Sequence, residues 1–196
     1  MKKTFLATIC LFAGMSIYAQ QIDVQPVPQK VIPATQTIKL TGTYLLNGIN
    51  DANPFAAEAL KTILGTSESM KGGMKVFIGE RGDKAVSKYK KFIPAQAEGY
   101  FVRISPKEIV LAGYDERGTY YAVQTFRQLI ENGQVPVTEI TDWPDIRFRG
   151  VVEGFYGTPW SHEARLRHLK FYGENKMNTY IYGPKDDPYH SSPNWR

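Results

Sequence analysis

The chain is nearly without cysteine. Among its 196 residues the single one is Cys10, inside the apolar N-terminal stretch. A disulfide scaffold, a thiolate metal site and a cysteine nucleophile are therefore excluded for everything downstream. Histidine is almost as scarce. His162, His168 and His190 do not stand four residues apart, so no helical metal pair is formed. A Gly-Lys-Ser/Thr phosphate loop is missing, and the Gly72-Gly73 pair precedes a strand pattern instead of a helix. Nor is there a Gly-x-Ser-x-Gly nucleophile elbow. No repeat or low-complexity tract occurs, and past the N-terminus no apolar run is long enough to cross a bilayer. Neither cofactor nor metal is expected.

What is present describes an ordinary folded chain with a surplus of rings. Hydrophobic residues make up 42% and charged residues 22%, which excludes disorder on composition. Twelve tyrosines, ten phenylalanines and three tryptophans serve a core and also suit a surface that stacks on ring-shaped ligands. The net charge is +5, falling to +3 without Lys2 and Lys3. The basic run 88–91, interrupted by Tyr89, reads as a solvated helix face and not as a nucleic-acid patch.

The first 19 residues have the layout of a secretory signal: Lys2 and Lys3, the apolar stretch 5–18, then Ala19 before Gln20. The mature chain is expected to be exported, to a periplasm or beyond, with no span left after cleavage. Residues 20–36 carry Pro26, Pro28 and Pro33 and read as an extended leader. A strand is expected over 37–47. Asn53-Pro54 then opens a helix with Phe55, Ala59, Leu60, Ile63 and Leu64 at helical spacing, and Gly65 ends it. Strands follow at 75–79, 99–104 and 108–112, the last two forming a hairpin around Ser105-Pro106-Lys107. A helix is expected over 85–93. A second begins at Asp115 or Thr119, carries Ala122, Val123, Phe126, Leu129 and Ile130, and closes at Asn132-Gly133. A strand over 135–140 completes an α/β domain spanning 37–145.

After Pro144 the pattern changes. Residues 149–154 form a strand with almost no alternation, as expected when both sheet faces are covered. Ser161 caps a helix to about Asn175 with Ala164, Leu166, Leu169 and Tyr172 inward, and 177–182 is the next strand. This makes one parallel β-α-β unit, 150–182. Such a unit leaves sheet edges and a face uncovered, so the sequence is expected to be a fragment of a longer protein. The fold class is α/β: a small α+β domain, then the opening of a parallel α/β unit over 146–196.

In parallel α/β folds chemistry collects where strands end. Two loops qualify. One runs Glu153-Gly154-Phe155-Tyr156-Gly157-Thr158-Pro159-Trp160, where glycines allow a ligand to approach the backbone and rings flank a sugar face. The other runs from Tyr182 through Gly183, Pro184 and Lys185 to His190, with Lys185 placed to donate to a hydroxyl. Asp186 and Asp187 read as turn residues before Pro188, not as a catalytic pair.

These two loops, with 149–160 reading RGVVEGFYGTPW and 178–190 reading NTYIYGPKDDPYH, resemble the opening of the catalytic barrel in family 84 glycoside hydrolases, the O-GlcNAcases and bacterial N-acetylglucosaminidases. The stretches 99–104 and 111–125 resemble the small domain that precedes that barrel, a domain shared with family 20 hexosaminidases. The resemblance implies retaining hydrolysis of β-linked N-acetylglucosamine in which the substrate's own acetamide is the nucleophile. It implies that 146–196 is the start of a (β/α)8 barrel, cut after its second strand, with an adjacent Asp pair after the fourth barrel strand, past residue 196, so that the fragment alone is inactive. It implies that the Gly154 carbonyl and Lys185 bond sugar hydroxyls, with Phe155 and Tyr156 in the pocket wall. The partner implied is an N-acetylglucosamine-containing glycan or glycoprotein. A non-catalytic carbohydrate-binding module and a family 20-type hexosaminidase are the alternatives.

Overall fold

The computed structural model describes residues 22–40, 42–66, 72–154 and 160–183. The signal-like segment and the loop residues Phe155, Tyr156 and Lys185 lie outside the described residues.

The element order is β1 (Lys30–Lys39), β2 (Tyr44–Asn47), α1 (Pro54–Leu64), β3 (Met74–Glu80), a 3-10 helix (Lys84–Phe92), β4 (Tyr100–Ile104), β5 (Glu108–Gly113), α2 (Glu116–Gln128), β6 (Gln134–Asp142), β7 (Gly150–Glu153), α3 (His162–Glu174) and β8 (Thr179–Tyr182). The first six-stranded sheet has the order β1-β6-β4-β5-β3-β2. Strands β2, β3 and β5 are parallel, and β4 runs antiparallel between β5 and β6. The expected hairpin is β4–β5, turned at Ser105, whose backbone N–H donates to the Glu108 carbonyl at 3.0 Å.

Local signals explain the helix ends. The Asn53 side chain accepts from the Phe55 and Ala56 amides at 2.9 and 3.2 Å, Pro54 takes the first turn, and Gly65 closes α1 at φ +63°. Asp115, not Thr119, caps α2 through the Gly118 amide at 2.8 Å. Helices α1 and α2 cover one sheet face, burying Leu60, Val123 and Phe126 against Ile78, Val102, Leu111 and Ile140. The 3-10 helix covers the other face with Val86 and Tyr89 against Phe101 and Val110.

Several expected boundaries move. Residues 30–36, expected in the leader, begin strand β1, because Lys30 to Pro33 pair with Thr141 to Thr138 of β6. Pro33 is tolerated there because β1 is an edge strand. The single strand expected over 37–47 is two: the end of β1, then β2 beyond Gly42 at φ +77°. The helix expected over 85–93 is of the tighter 3-10 kind. Helix α2 ends at Gln128, and Asn132-Gly133 instead forms the turn of the Glu131–Gln134 bridge.

The second sheet is the parallel pair β7–β8, joined by α3 as expected. At its start the strands approach so closely that a Cβ on Gly150 would lie 1.6 Å from the Thr179 carbonyl oxygen, so only glycine fits. The inner face of α3 is only partly the expected one: Ala164 and Tyr172 are half-buried, the two leucines are not. Arg165, His168 and Tyr172 are half-buried, whereas Leu166 and Leu169 are 54% and 44% exposed. The stripe through 161, 165, 168 and 172 turns toward β7 and β8, and it is polar and aromatic. The leucines lie on a different flank of the same helix.

Candidate functional site at the strand ends

Strands β7 and β8 run in register, Glu153 opposite Tyr182, so Gly154 and Gly183 follow side by side at the C-terminal end of the sheet. Gly154 is exposed, and a Cβ built there meets nothing within 4 Å among the described residues. Lys185 comes two residues after Gly183 on the same edge of the sequence. Where its ammonium points falls outside the described residues, as do the positions of Phe155 and Tyr156.

Glu153 organises this edge. It was not singled out in the sequence, yet it is 2% exposed. Arg165 of α3 grips it with two parallel bonds of 2.8 Å, from Nε to Oε2 and from Nη2 to Oε1. The Trp160 amide adds a third donor at 2.9 Å, and the Tyr180 hydroxyl of β8 donates to Oε2. The carboxylate thus ties together β7, the entrance to α3, α3 itself and β8. The Arg165 bonds come first in holding the Glu153 carboxyl down to about 2, with Tyr180 and the Trp160 amide assisting against burial. A carboxylate so fully occupied stays ionised and is no general acid or base. It positions the tips. The signal that could have found it is the charge itself: a glutamate inside a strand read as buried on both faces demands a cation nearby.

Aromatic rings extend this support. Trp160 meets His168 edge-on with centroids 4.4 Å apart, and Tyr172 stacks on Tyr180 at 6.4 Å. The Arg165 guanidinium lies 4.6 Å from the Tyr182 ring centroid.

The opposite, N-terminal end of β7 and β8 docks on the first domain. Glu98, buried and held at φ +63°, accepts from Arg149 at 2.5 Å, Asn178 at 2.9 Å and Arg117 at 3.1 Å. Burial would raise its carboxyl, but donation by Asn178, Arg149 and Arg117 prevails and keeps it below the ordinary value. Arg149 and Asn178 directly precede the two strands, and the Arg149 amide donates to Asn178 Oδ1 at 2.9 Å. One carboxylate of the first domain therefore anchors the roots of both strands whose tips form the candidate site. Among the described residues no cluster of three or more His, Cys, Asp or Glu could hold a metal ion.

Comparison with known proteins agrees with this geometry. The profile of the glycosyl hydrolase family 20, domain 2 matches residues 21–143, well over half of the chain. The chain belongs to this family. The remainder, 149–196, matches the β-N-acetylglucosaminidase family, so the two matches abut near the change of sheet. Protein O-GlcNAcase of Rattus norvegicus is 51% identical over 41 residues, which are 21% of this chain and 4% of that protein. The solved CpGH84B structure aligns with a TM-score of 0.78 and 34% identity over 87% of this chain and 31% of its own. A β-N-acetylhexosaminidase from Bacteroides fragilis aligns at 0.63 with 21% identity over 81% of this chain and 32% of its own, a likeness of fold. The chain thus spans about a third of the solved structures it matches and a few per cent of the curated relatives. The family 20 domain 2 match followed by the β-N-acetylglucosaminidase match is the order expected from the sequence.

Proposed function

We propose that this chain is the N-terminal part of an exported β-N-acetylglucosaminidase, and that the tips of β7 and β8 form the sugar-gripping half of its active site. The observation that carries the reading is the coincidence of the β-N-acetylglucosaminidase match at 149–196 with a parallel β-α-β unit whose ends bring Gly154 and Gly183 side by side. In this reading the unit is the first turn of a (β/α)8 barrel. The exposed faces of Val152 and Ile181 on the strands, and of Leu166 and Phe171 on α3, support further β-α units packing against them.

The chemistry proposed is retaining and substrate-assisted. The acetamide oxygen of the sugar attacks C1 as the glycosidic C–O bond breaks, and a carboxylic acid gives its proton to the departing oxygen. Water, deprotonated by the same group, then opens the oxazoline. A second carboxylate orients the acetamide N–H. Both carboxylates belong to an adjacent Asp pair on a later strand, while the Gly154 carbonyl and the Lys185 ammonium hold ring hydroxyls. Phe155 and Tyr156 line the wall.

The test compares residues 1–196 with the product of the reading frame continued downstream, using an aryl N-acetyl-β-glucosaminide. The longer protein hydrolyses it with retention and loses activity when either member of an Asp pair becomes Asn, whereas 1–196 does not hydrolyse it. Hydrolysis by 1–196 itself, or a stop codon directly after Arg196 with sugar binding intact, contradicts the reading and favours a binding module.

A further inference from the structure

A second feature lies at the other end of the β-α-β unit. Three buried side-chain nitrogens have no hydrogen-bond partner among the described residues: Arg81 Nε, His168 Nδ1 and Lys176 Nζ. Lys176 lines a cavity of about 200 Å³ in the seam between the two sheets. The side chain is 5% exposed, and its backbone sits at φ +61°, a left-handed conformation that a lysine adopts at a cost. The Arg149 Nε donates to its carbonyl at 3.1 Å, holding it there. A buried ammonium that makes no hydrogen bond is expensive, so the fold retains it against a penalty.

The surroundings define what would satisfy it. Asp142 Oδ2 is 4.0 Å away, an ion pair beyond hydrogen-bond distance, and the Tyr100 ring centroid lies 5.4 Å from the ammonium. Asp142 already accepts from the Tyr100 hydroxyl at 2.6 Å and from the Gln29 amide at 3.1 Å. The other charged groups in the lining are Glu98, Asp145 and Arg149. Three carboxylates against two cations disfavour an anion. A hydroxyl fits, because it accepts from the ammonium and donates to the carboxylate across the same gap. Trp143, Tyr121 and Pro26 supply apolar walls. The volume is below the roughly 300–1,000 Å³ of pockets for drug-sized ligands, which matches one ring and not a chain. Burial brings the Lys176 ammonium down to about 8 against the pull of Asp142, so it is still mostly a charged donor at neutral pH.

We infer that the seam cavity at Lys176 is a second, non-catalytic site for a neutral hydroxylated ring such as a monosaccharide, bridging Lys176 and Asp142 at the end of the strands opposite Gly154. Because the ligand would touch both units, binding strengthens their docking. The inference stands independently of the proposed catalytic reading.

The test titrates residues 1–196 with N-acetylglucosamine, glucose and sodium phosphate while following indole emission. Either sugar produces a saturable millimolar response that survives Trp160→Phe, disappears in Trp143→Phe, and weakens about tenfold or more in Lys176→Met. Phosphate gives none. A response reported by Trp160 and not by Trp143 places the sugar at the strand tips and overturns the seam site without touching the catalytic reading. Should Lys176→Met fail to fold, crystals soaked in N-acetylglucosamine decide. A ring within hydrogen-bond distance of Lys176 Nζ supports the site, and water alone or phosphate in the cavity overturns it.

Discussion

The two halves of the molecule are stabilised by different means. In the first, Leu60, Ile78, Phe101, Leu111, Phe126 and Ile140 are all but removed from water, and two helices close one face of a six-stranded sheet. In the second, α3 has no buried residue, while Leu166, Phe171 and Ile181 stand about half exposed. What holds the β-α-β unit is polar: the Glu153–Arg165 pair at one end of the strands and the Glu98 network at the other. An apolar core that loses a side chain loses burial and keeps a cavity, whereas a buried ion pair that loses one member leaves a charge without a partner. The second half is thus held by ion pairs at the two ends of its strands, while its middle stays half exposed.

Substitutions should separate the two regimes. Phe126→Ala, in the middle of the first core, is expected to cost about 3–5 kcal/mol in denaturant unfolding of the first domain. Arg165→Met strands the buried Glu153 carboxylate. It is expected to loosen this half locally, seen as faster amide exchange across Thr179–Tyr182 with exchange across Tyr100–Ile104 unchanged. Equal loss of protection in both sheets would remove the distinction between them.

Titration sharpens the same contrast. Glu153 is depressed to about 2 in the fold, so its contribution is present above the ordinary carboxylate range and is lost as pH falls from about 4.5 through 2. Exchange protection of β8 should therefore persist at pH 4 and fade below pH 3, and should lose that dependence in Glu153→Gln. Lys176 has the opposite sign. Its folded value of about 8 lies below the ordinary 10.5, so the unfolded chain binds the extra proton and stability rises with pH between those values. The gain is on the order of 2 kcal/mol between pH 8 and 10, and Lys176→Met abolishes it. Above pH 10 the buried tyrosines reverse the trend, since burial raises Tyr100 well above its ordinary value and Tyr121 to about 12. The smallest effect is expected at Asn53→Ala, which removes a cap and costs about 1 kcal/mol by thermal melting.

The unequal regimes also explain what could be read from the residues. Elements of the first domain were legible because they bury apolar stripes: Leu60 and Leu64 on α1, Ala122, Val123 and Phe126 on α2, and the Ser105-Pro106-Lys107 hairpin all stand where periodicity and turn chemistry put them. Helix α3 misled for the converse reason. Ala164 and Tyr172 are half-buried as read, but Leu166 and Leu169 are exposed, and Arg165 and His168 turn inward beside Tyr172, which no hydrophobic pattern reveals. At the candidate site Gly154 follows from strand position, but Glu153 was hidden because its role depends on Arg165 twelve residues on and Tyr180 on the next strand. The seam was invisible for the same cause. Glu98 and Arg149 are 51 residues apart, and nothing local to either announces the other.

The most direct measurement is a crystal structure of the downstream-extended protein with N-acetylglucosamine bound. The account predicts the Gly154 carbonyl and the Lys185 ammonium both within roughly 3.2 Å of hydroxyls on one sugar ring. A ring held elsewhere, or a Lys185 directed away from the end of β7 and β8, would contradict it.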